Sequence, residues 1–532
     1  MEHSYCIFRK VILIFSFLCI SAILTSAQEK RITYYYDNYI ENSFVKESVF
    51  LQKKYEPQPL PKLENVRGTL PGPFWENHQD VIDCYWKTWG IAFDNLRRPQ
   101  QNSGFVANYV TTRFNNHIFM WGHVFILMYW KYAFQVFPFQ ESLENFYATQ
   151  HPDGYICRAI NETNGSERFA RFDLSGTGPN IFAWGEWEYY QISGDQERLE
   201  KVFPVLAAYT QWLKKYHTWQ DGTYFSNGWG CGMDNQPRLP GGYSPQFDHG
   251  HMSWIDITLQ QIFMDKILLK MADVLNKRAE ILDVETETES LTRLINEKMW
   301  NDKIDFYADR FRDGTVSDVK SIGAYWALLA EVVPKKRVGT FCAHLENPKE
   351  FDRWHRIPSL SADTPGYQHD GGYWQGGVWP ITNYMVLRGL SSCGLDSLAH
   401  VIALNHLSKV VGKFKETGTI WENYAPEPHV VPRNSRDDFV GFSGVSPIAI
   451  LFENVFGIRS DVPNNQIIWD VRLLDKHGIR QYPFGLNGAV QLTCEKRDSQ
   501  SEEPVVTVTS NTPLSVVIKW KGGVKTISAR MH

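Results

Sequence analysis

The chain of 532 residues is poor in charge, with Asp, Glu, Lys and Arg together making up 21%. Its 54 basic and 59 acidic residues leave a net charge of −5, so the basic footprint that nucleic-acid binding requires is missing. No Cys-x-x-Cys pair occurs, and the scattered cysteines do not suit a zinc site. There is no internal repeat and no low-complexity tract, which argues against solenoids and against a disordered chain. Long apolar runs are also scarce. Val11–Leu24 is the longest, and it is short for a membrane span.

That run follows Arg9 and Lys10 and gives way to Thr25, Ser26 and Ala27. Basic, apolar and small segments in that order are the layout of a secretory signal peptide. The expectation is that residues 1–27 are removed. The mature chain then begins near Gln28, is exported to a periplasm or beyond, and carries no integral membrane segment. Cys6 and Cys19 leave with the signal, and Cys84, Cys157, Cys231, Cys342, Cys393 and Cys494 remain.

Aromatic residues are what the chain has in excess, at 14%, with 19 tryptophans. Many stand beside glycine and polar residues, as in "YWQGGVW" and "TIWENY". Indole faces stack on the C–H faces of sugars, so a carbohydrate partner is one reading. An aromatic-rich helical core is the other.

Residues 28–75 are polar and dotted with proline, and read as an N-terminal arm. From 76 to 460 the apolar period is helical. In 198–216, for instance, Leu199, Val202, Phe203, Leu206, Tyr209 and Leu213 share one face, with Gly194-Asp-Gln-Glu ahead as a start signal. About twelve such segments are predicted, separated by loops rich in Gly, Trp and Asp. Paired as six hairpins, they make a mainly α fold, an (α/α)6 barrel with its site on the loops at one end. From 461 to 532 the pattern becomes β-branched and alternating, which predicts a small antiparallel β module.

Two acids sit in aromatic, glycine-rich settings far apart in sequence. Asp234 lies in "GWGCGMDNQPR" and Glu422 in "GTIWENYAPE". Asp234 on its own could equally be a turn-capping residue. Between the two acids lies "GGYWQGGVWP", and before them "DGYICR" and "AWGEWE". Glycoside hydrolysis needs such a pair, one acid to protonate the leaving oxygen and another to activate water or attack the sugar. Candidate sugar contacts are Trp229, Asn235, Arg238, Tyr373, Trp374, Gln375, Trp379, Trp421, Trp121, His123 and Glu186. Each has a structural alternative: burial between helices for Trp374 and Trp379, an ion pair for Arg238, a pocket-wall or core position for His123, and a solvated cap for Glu186 or Glu188. His249 and His251 lack a third ligand at helical spacing, so no metal site is assigned.

In order, "GMDNQPR", "GGYWQGGVWP" and "TIWENY" resemble the glycosidases of glycoside hydrolase family 63. That family includes processing α-glucosidase I and the mannosylglycerate hydrolases, and is related to the trehalases. The similarity runs from about Phe74 to Ile458. It implies an (α/α)6 barrel, Asp234 as general acid, Glu422 as general base and inversion at the anomeric carbon, with no cofactor. Two positions depart from the family pattern. Gly122, followed by His123, stands where an early Trp-Asp pair would place an acid, and Gln375 stands where many relatives carry Arg.

The reading is therefore an exported, inverting glycoside hydrolase, an exo-acting α-glycosidase on oligosaccharides or small glycosides. The alternatives are a carbohydrate-binding barrel without turnover and a polysaccharide lyase. An inverting pair should stand roughly 6.5–9.5 Å apart. Asp234 should be the more buried of the two and the one with the more raised pKa, while Glu422 stays ionised. The oligomeric state is not specified by the sequence.

Overall fold

A computed structural model describes residues 40–113 and 115–531. The signal-like segment 1–27 lies outside the described residues. No helix among the described residues is long and apolar enough to cross a membrane.

The helical body rests on local signals that the sequence carries. Asp195 caps the helix Gln196–Tyr216 by accepting a hydrogen bond from the Arg198 amide, and the apolar face from Leu199 to Leu213 is buried. The preceding helix, Phe182–Ser193, ends at Gly194 in the left-handed region at φ 69°, with its amide bonded to the Tyr190 carbonyl. A Cβ at Gly194 would come within 2.9 Å of Val462, so sterics as well as φ favour glycine there.

Six helical stretches touch in succession. Met120–Trp130 meets Phe182–Ser193, which meets Ile255–Leu275, followed by Trp326–Leu329 and then Pro380–Ser392. The sixth stretch, Phe442–Val445 continuing into the π-helical Ser446–Val455, returns to Met120–Trp130. Outside this ring, Gln196–Tyr216 and Leu282–Lys298 lie on Ile255–Leu275, and Asp396–Thr417 lies on Pro380–Ser392. Gln79–Asp94 packs on both Asp396–Thr417 and Ser446–Val455.

The interior is filled with aromatic rings, each a large apolar surface taken from water. Trp184 stacks on Tyr384 at 5.8 Å and meets Phe125, Phe263 and Trp326 edge-on. Trp89, Trp130, Trp212, Trp254 and Trp469 are likewise fully buried. For these tryptophans the core reading holds.

Several charges that enter the body are paired. Lys131 and Arg388 bind both Glu188 and Glu453, at 2.6–2.9 Å. A solvated cap was one reading for Glu186 or Glu188; Glu188 is instead buried, with two cations from neighbouring helices converging on it. Glu186 is removed from the sugar-contact set. It is fully buried and bound by Arg198, which also holds Glu144.

The β-rich C-terminal region forms two sheets. One runs Gly72–Trp75, His477–Phe484, Gly488–Cys494, Val506–Ser510 and Arg530–Met531. The other runs Gly523–Ser528, Ser515–Trp520, Gln466–Asp470 and Ile458–Asp461. Alternate burial in Gly488–Cys494 matches its period-2 pattern. The expected all-antiparallel arrangement needs correction. Ser515–Trp520 pairs parallel with Gln466–Asp470, and Val506–Ser510 parallel with Arg530–Met531. A crossover between sheets brings these strands side by side, which local patterning does not encode. The first strand also comes from residues before the helices: Gly72–Trp75 pairs antiparallel with His477–Phe484, with Arg480 over the Phe74 ring.

Candidate active site

Several inner helices present their N-terminal residues to one cavity of about 230 Å³. Trp121, Gly122 and His123 come from the start of Met120–Trp130, Ile381 from the start of Pro380–Ser392, and Phe442 from the start of the closing stretch. Helix N-termini carry partial positive charge, which suits a site holding carboxylates. Loops complete the wall with Phe119, Arg158, Arg168, Trp229, Asp234, Tyr373, Trp374, Trp379, Glu422 and Phe439. Asp234 and Glu422, distant in sequence, thus share one aromatic-walled space.

The glycine-rich turn 371–379 is shaped by close packing. A Cβ on Gly377 would lie 2.2 Å from the Tyr373 carbonyl oxygen, and Tyr373 itself takes φ 71°. A non-glycine residue in that region is strained, and such strain gathers at functional sites. In return, Tyr373 is aimed into the cavity. Trp374 and Trp379 stack face to face at 3.9 Å, and Trp379 Nε1 donates to the Tyr373 carbonyl at 3.1 Å.

Asn235 contributes to this turn rather than to the cavity. Its amide donates to the Gly372 carbonyl at 2.8 Å and accepts from the Trp374 amide at 3.0 Å. The loop of one acid therefore grips the aromatic turn. Arg238 is also corrected. It is 2% exposed, with its guanidinium bound to Asp256 and Asp309 at 2.5–2.9 Å and lying 4.5 Å from the Trp254 ring centroid. Two buried acids claim it before any sugar can. Gln375 does not line the cavity; its carbonyl accepts from the Gln368 amide within the turn. Trp421 points the other way, with its Nε1 donating to Thr417 Oγ1 and Lys413 over its ring. Residues alternate in direction along an extended segment, so burying Glu422 turns its neighbour Trp421 outward.

Trp121, Trp229, Tyr373, Trp374 and Trp379 are in the wall as expected, together with His123. The His123 ring lies between Phe139 and Phe146, and its Nδ1 is 3.2 Å from the Phe119 carbonyl. Burial lowers its pKa to about 4, so at neutral pH it is an uncharged wall residue. His249 and His251 pack edge-to-face beside Trp219. Among the described residues, no group of three or more His, Cys, Asp and Glu side chains could hold a metal ion.

Arg158, Arg168 and Arg436 were not among the expected contacts. Arg158, within "DGYICR", donates from Nε to the Ser175 carbonyl at 3.1 Å and from Nη1 to the Trp229 carbonyl. It lies over the Phe169 ring at 4.7 Å, and Arg168 faces the same ring. Arg436 places Nη1 at 3.0 and 3.1 Å from the two Glu422 oxygens. The only sequence signal for Arg158 was its place in a Gly-aromatic loop like those of the acids. Arg168 and Arg436 had none.

These cations change the electrostatics that the sequence suggested. Burial raises Asp234 to about 6, opposed chiefly by Arg158, with Arg436 and Arg168 also lowering it. Burial raises Glu422 further, to about 7, opposed by Arg436 and reinforced by the charge of Asp234. Glu422 is 2% exposed, while Asp234 is partly exposed. Both acids are thus raised by similar amounts, and the expected contrast between a protonated Asp234 and a readily ionised Glu422 is absent. More cations act on Asp234, and the charge of Asp234 adds to burial at Glu422. Interacting acids titrate as a pair, and the pair passes through its singly protonated form near neutrality.

Two acids raised toward neutrality, in an aromatic pocket on a helical scaffold, fit a glycoside hydrolase. Residues 115–429 match the mannosylglycerate hydrolase MGH1-like glycoside hydrolase domain, and the chain belongs to that family. It is therefore a glycosidase of the family 63 and trehalase-like group. An uncharacterized protein of Borreliella burgdorferi is 25% identical over 370 residues, covering 67% of this chain and 75% of its own. The mannosylglycerate hydrolase of Thermus thermophilus is 23% identical over 348 residues, 53% of this chain and 83% of its own. A probable mannosyl-oligosaccharide glucosidase of Schizosaccharomyces pombe is 20% identical, covering 58% of this chain but 43% of its own. In fold, the crystal structure of the Thermus thermophilus family 63 hydrolase with glucose aligns at TM-score 0.55 and 17% identity, over 68% of this chain and 99% of its own. A family 78 rhamnosidase of Bacillus aligns at TM-score 0.61 and 13% identity, over 83% of this chain and 42% of its own.

Proposed function

We propose that the protein is an inverting, exo-acting α-glycosidase in which Asp234 is the general acid and Glu422 the general base. The observation that carries this is the meeting of both acids in one small aromatic-walled cavity. The scaffold is an (α/α)6 barrel; the closed succession of six inner helical stretches supports it. A compact cavity favours removal of a terminal sugar over cleavage within a chain.

The reaction starts with Asp234 protonated and Glu422 ionised. Asp234 gives its proton to the glycosidic oxygen as the bond to the anomeric carbon breaks. Glu422 takes a proton from a water on the opposite face, and that water's oxygen bonds to the anomeric carbon. The proton that leaves Asp234 is matched by the one Glu422 gains, so the pair keeps its charge through the step. Trp374, Trp379 and Trp121 exclude solvent and offer apolar faces to the sugar. The arginines that line the cavity, Arg158 and Arg168, support an aglycone bearing a carboxylate, as glycerate does in the substrate that names the Thermus thermophilus relative. Neutral oligosaccharides are the other arm of the same test.

The experiment is digestion of a panel of α-glycosides and oligosaccharides followed by proton NMR from the first minute. The first-formed sugar should have the anomeric configuration opposite to the substrate's. A retained configuration overturns inversion, and binding without release from any glycoside overturns the enzyme.

Export is part of the proposal, resting on the layout of residues 1–27. Intact mass of chain recovered outside the cytoplasm should start near Gln28. A species that keeps Met1 to Ala27 contradicts it.

A further inference from the structure

Glu422 lies on one arm of a hairpin, and the other arm returns over it. The Glu422 amide donates to the Arg436 carbonyl at 2.9 Å, and the Phe439 amide to the Ile420 carbonyl at 3.0 Å. Ser435 Oγ ties the turn by donating to the Asn423 carbonyl at 2.7 Å. These bonds fix where the Arg436 side chain starts, and from there it reaches both Glu422 oxygens at 3.0 and 3.1 Å. Its side chain is 44% exposed while that of Glu422 is 3% exposed. One end of this ion pair is in water and the other is inside the site.

We infer that Arg436 is the positioning residue for the base. From the return arm of the same hairpin it holds the Glu422 carboxylate in one plane and opposes the protonation that burial favours. The inference rests on the reading of Glu422 as general base. A carboxylate taken out of water favours its neutral form, and a cation in contact counters that preference. The other charged or titratable groups facing Glu422 do not substitute for Arg436. Asp234, from the opposite loop, is an anion that raises Glu422. Tyr373, from the 371–379 turn, is an uncharged phenol held high by burial and by both acids. His123, from the cavity wall, is neutral. Arg158 and Arg168 act mainly on Asp234. Arg436 also opposes the effect of burial on the Tyr373 hydroxyl, so one guanidinium acts on both groups.

The test is the pH profile of kcat/KM for the wild type, Arg436→Gln and Arg436→Lys on a substrate the wild type hydrolyses. In Arg436→Gln the acid limb should move toward alkaline pH by about 1–3 units, the range for loss of an adjacent opposite charge. KM should change little. Arg436→Lys should keep the limb near its wild-type place with a lower plateau, because the charge survives and the planar fork does not. Added guanidinium should draw the limb of Arg436→Ala back toward acid. A fall in kcat/KM that is equal at every pH, or a rise confined to KM, overturns the inference and makes Arg436 a structural or sugar-binding group. A chain that hydrolyses no glycoside overturns the functional reading instead. In that event, infrared difference titration of the full chain decides the inference alone. The carboxyl band absent from Glu422→Gln should titrate at higher pH in Arg436→Gln than in wild type, and an unmoved midpoint overturns it.

Discussion

Asp234→Asn should lower turnover by roughly two to four orders of magnitude, the range for loss of a positioned acid. The amide keeps the shape of the side chain and its contacts but has no proton to give. The loss should depend on the leaving group. An alkoxide needs protonation to depart, so ordinary glycosides should show the full effect. A glycosyl fluoride or dinitrophenyl glycoside departs unaided and should keep much of its rate. Glu422→Gln should suppress both, because water activation is needed whatever departs. Unfolding midpoints near wild type would show that chemistry alone was changed. If Asp234→Asn retained its rate on an unactivated glycoside, Asp234 would not be the acid.

Arg238→Met should cost the fold about 3–5 kcal/mol, the range for removing one partner of a buried ion pair. Methionine fills much of the volume and spares the packing against Trp254. What it cannot do is neutralise Asp256 and Asp309, which are then left facing each other without water. Burial already raises Asp309 against the pull of Arg238. The check is denaturant unfolding at neutral pH, with Arg238→Met/Asp256→Asn/Asp309→Asn beside it. The triple variant should recover part of the loss, because the unpaired charges are gone. A stability change below about 1 kcal/mol, together with a large fall in activity, would return Arg238 to the substrate.

The helical body was legible because its information is local. Asp195 and Gly194 set the ends of two helices, and the apolar face from Leu199 to Leu213 set the orientation of one of them. The two acids were legible because each sits in a glycine-aromatic loop, and the resemblance to family 63 joined them. The other polar candidates failed for a shared reason. Arg238, Glu186 and Asn235 have chemistry that suits a sugar, but each is satisfied by a partner distant in sequence, and no pattern near the residue announces that partner. Glu422 and Arg436 show the same gap in reverse. An arginine in a polar loop looks like a surface residue until the hairpin folds it over the acid. The expected contrast between the two acids is absent because burial and nearby cations act on both, and neither can be read near the residue.

The pairing of Gly72–Trp75 with His477–Phe484 bears on timing. The strand that enters the structure before the first inner helix has its partner beyond all six inner helical stretches, so that sheet cannot take in its first strand until the whole ring has been made. Contacts between such remote segments carry the largest loop-closure cost and form slowly. The seam between the N-terminal strand and the C-terminal sheet is therefore a late-forming part of the fold.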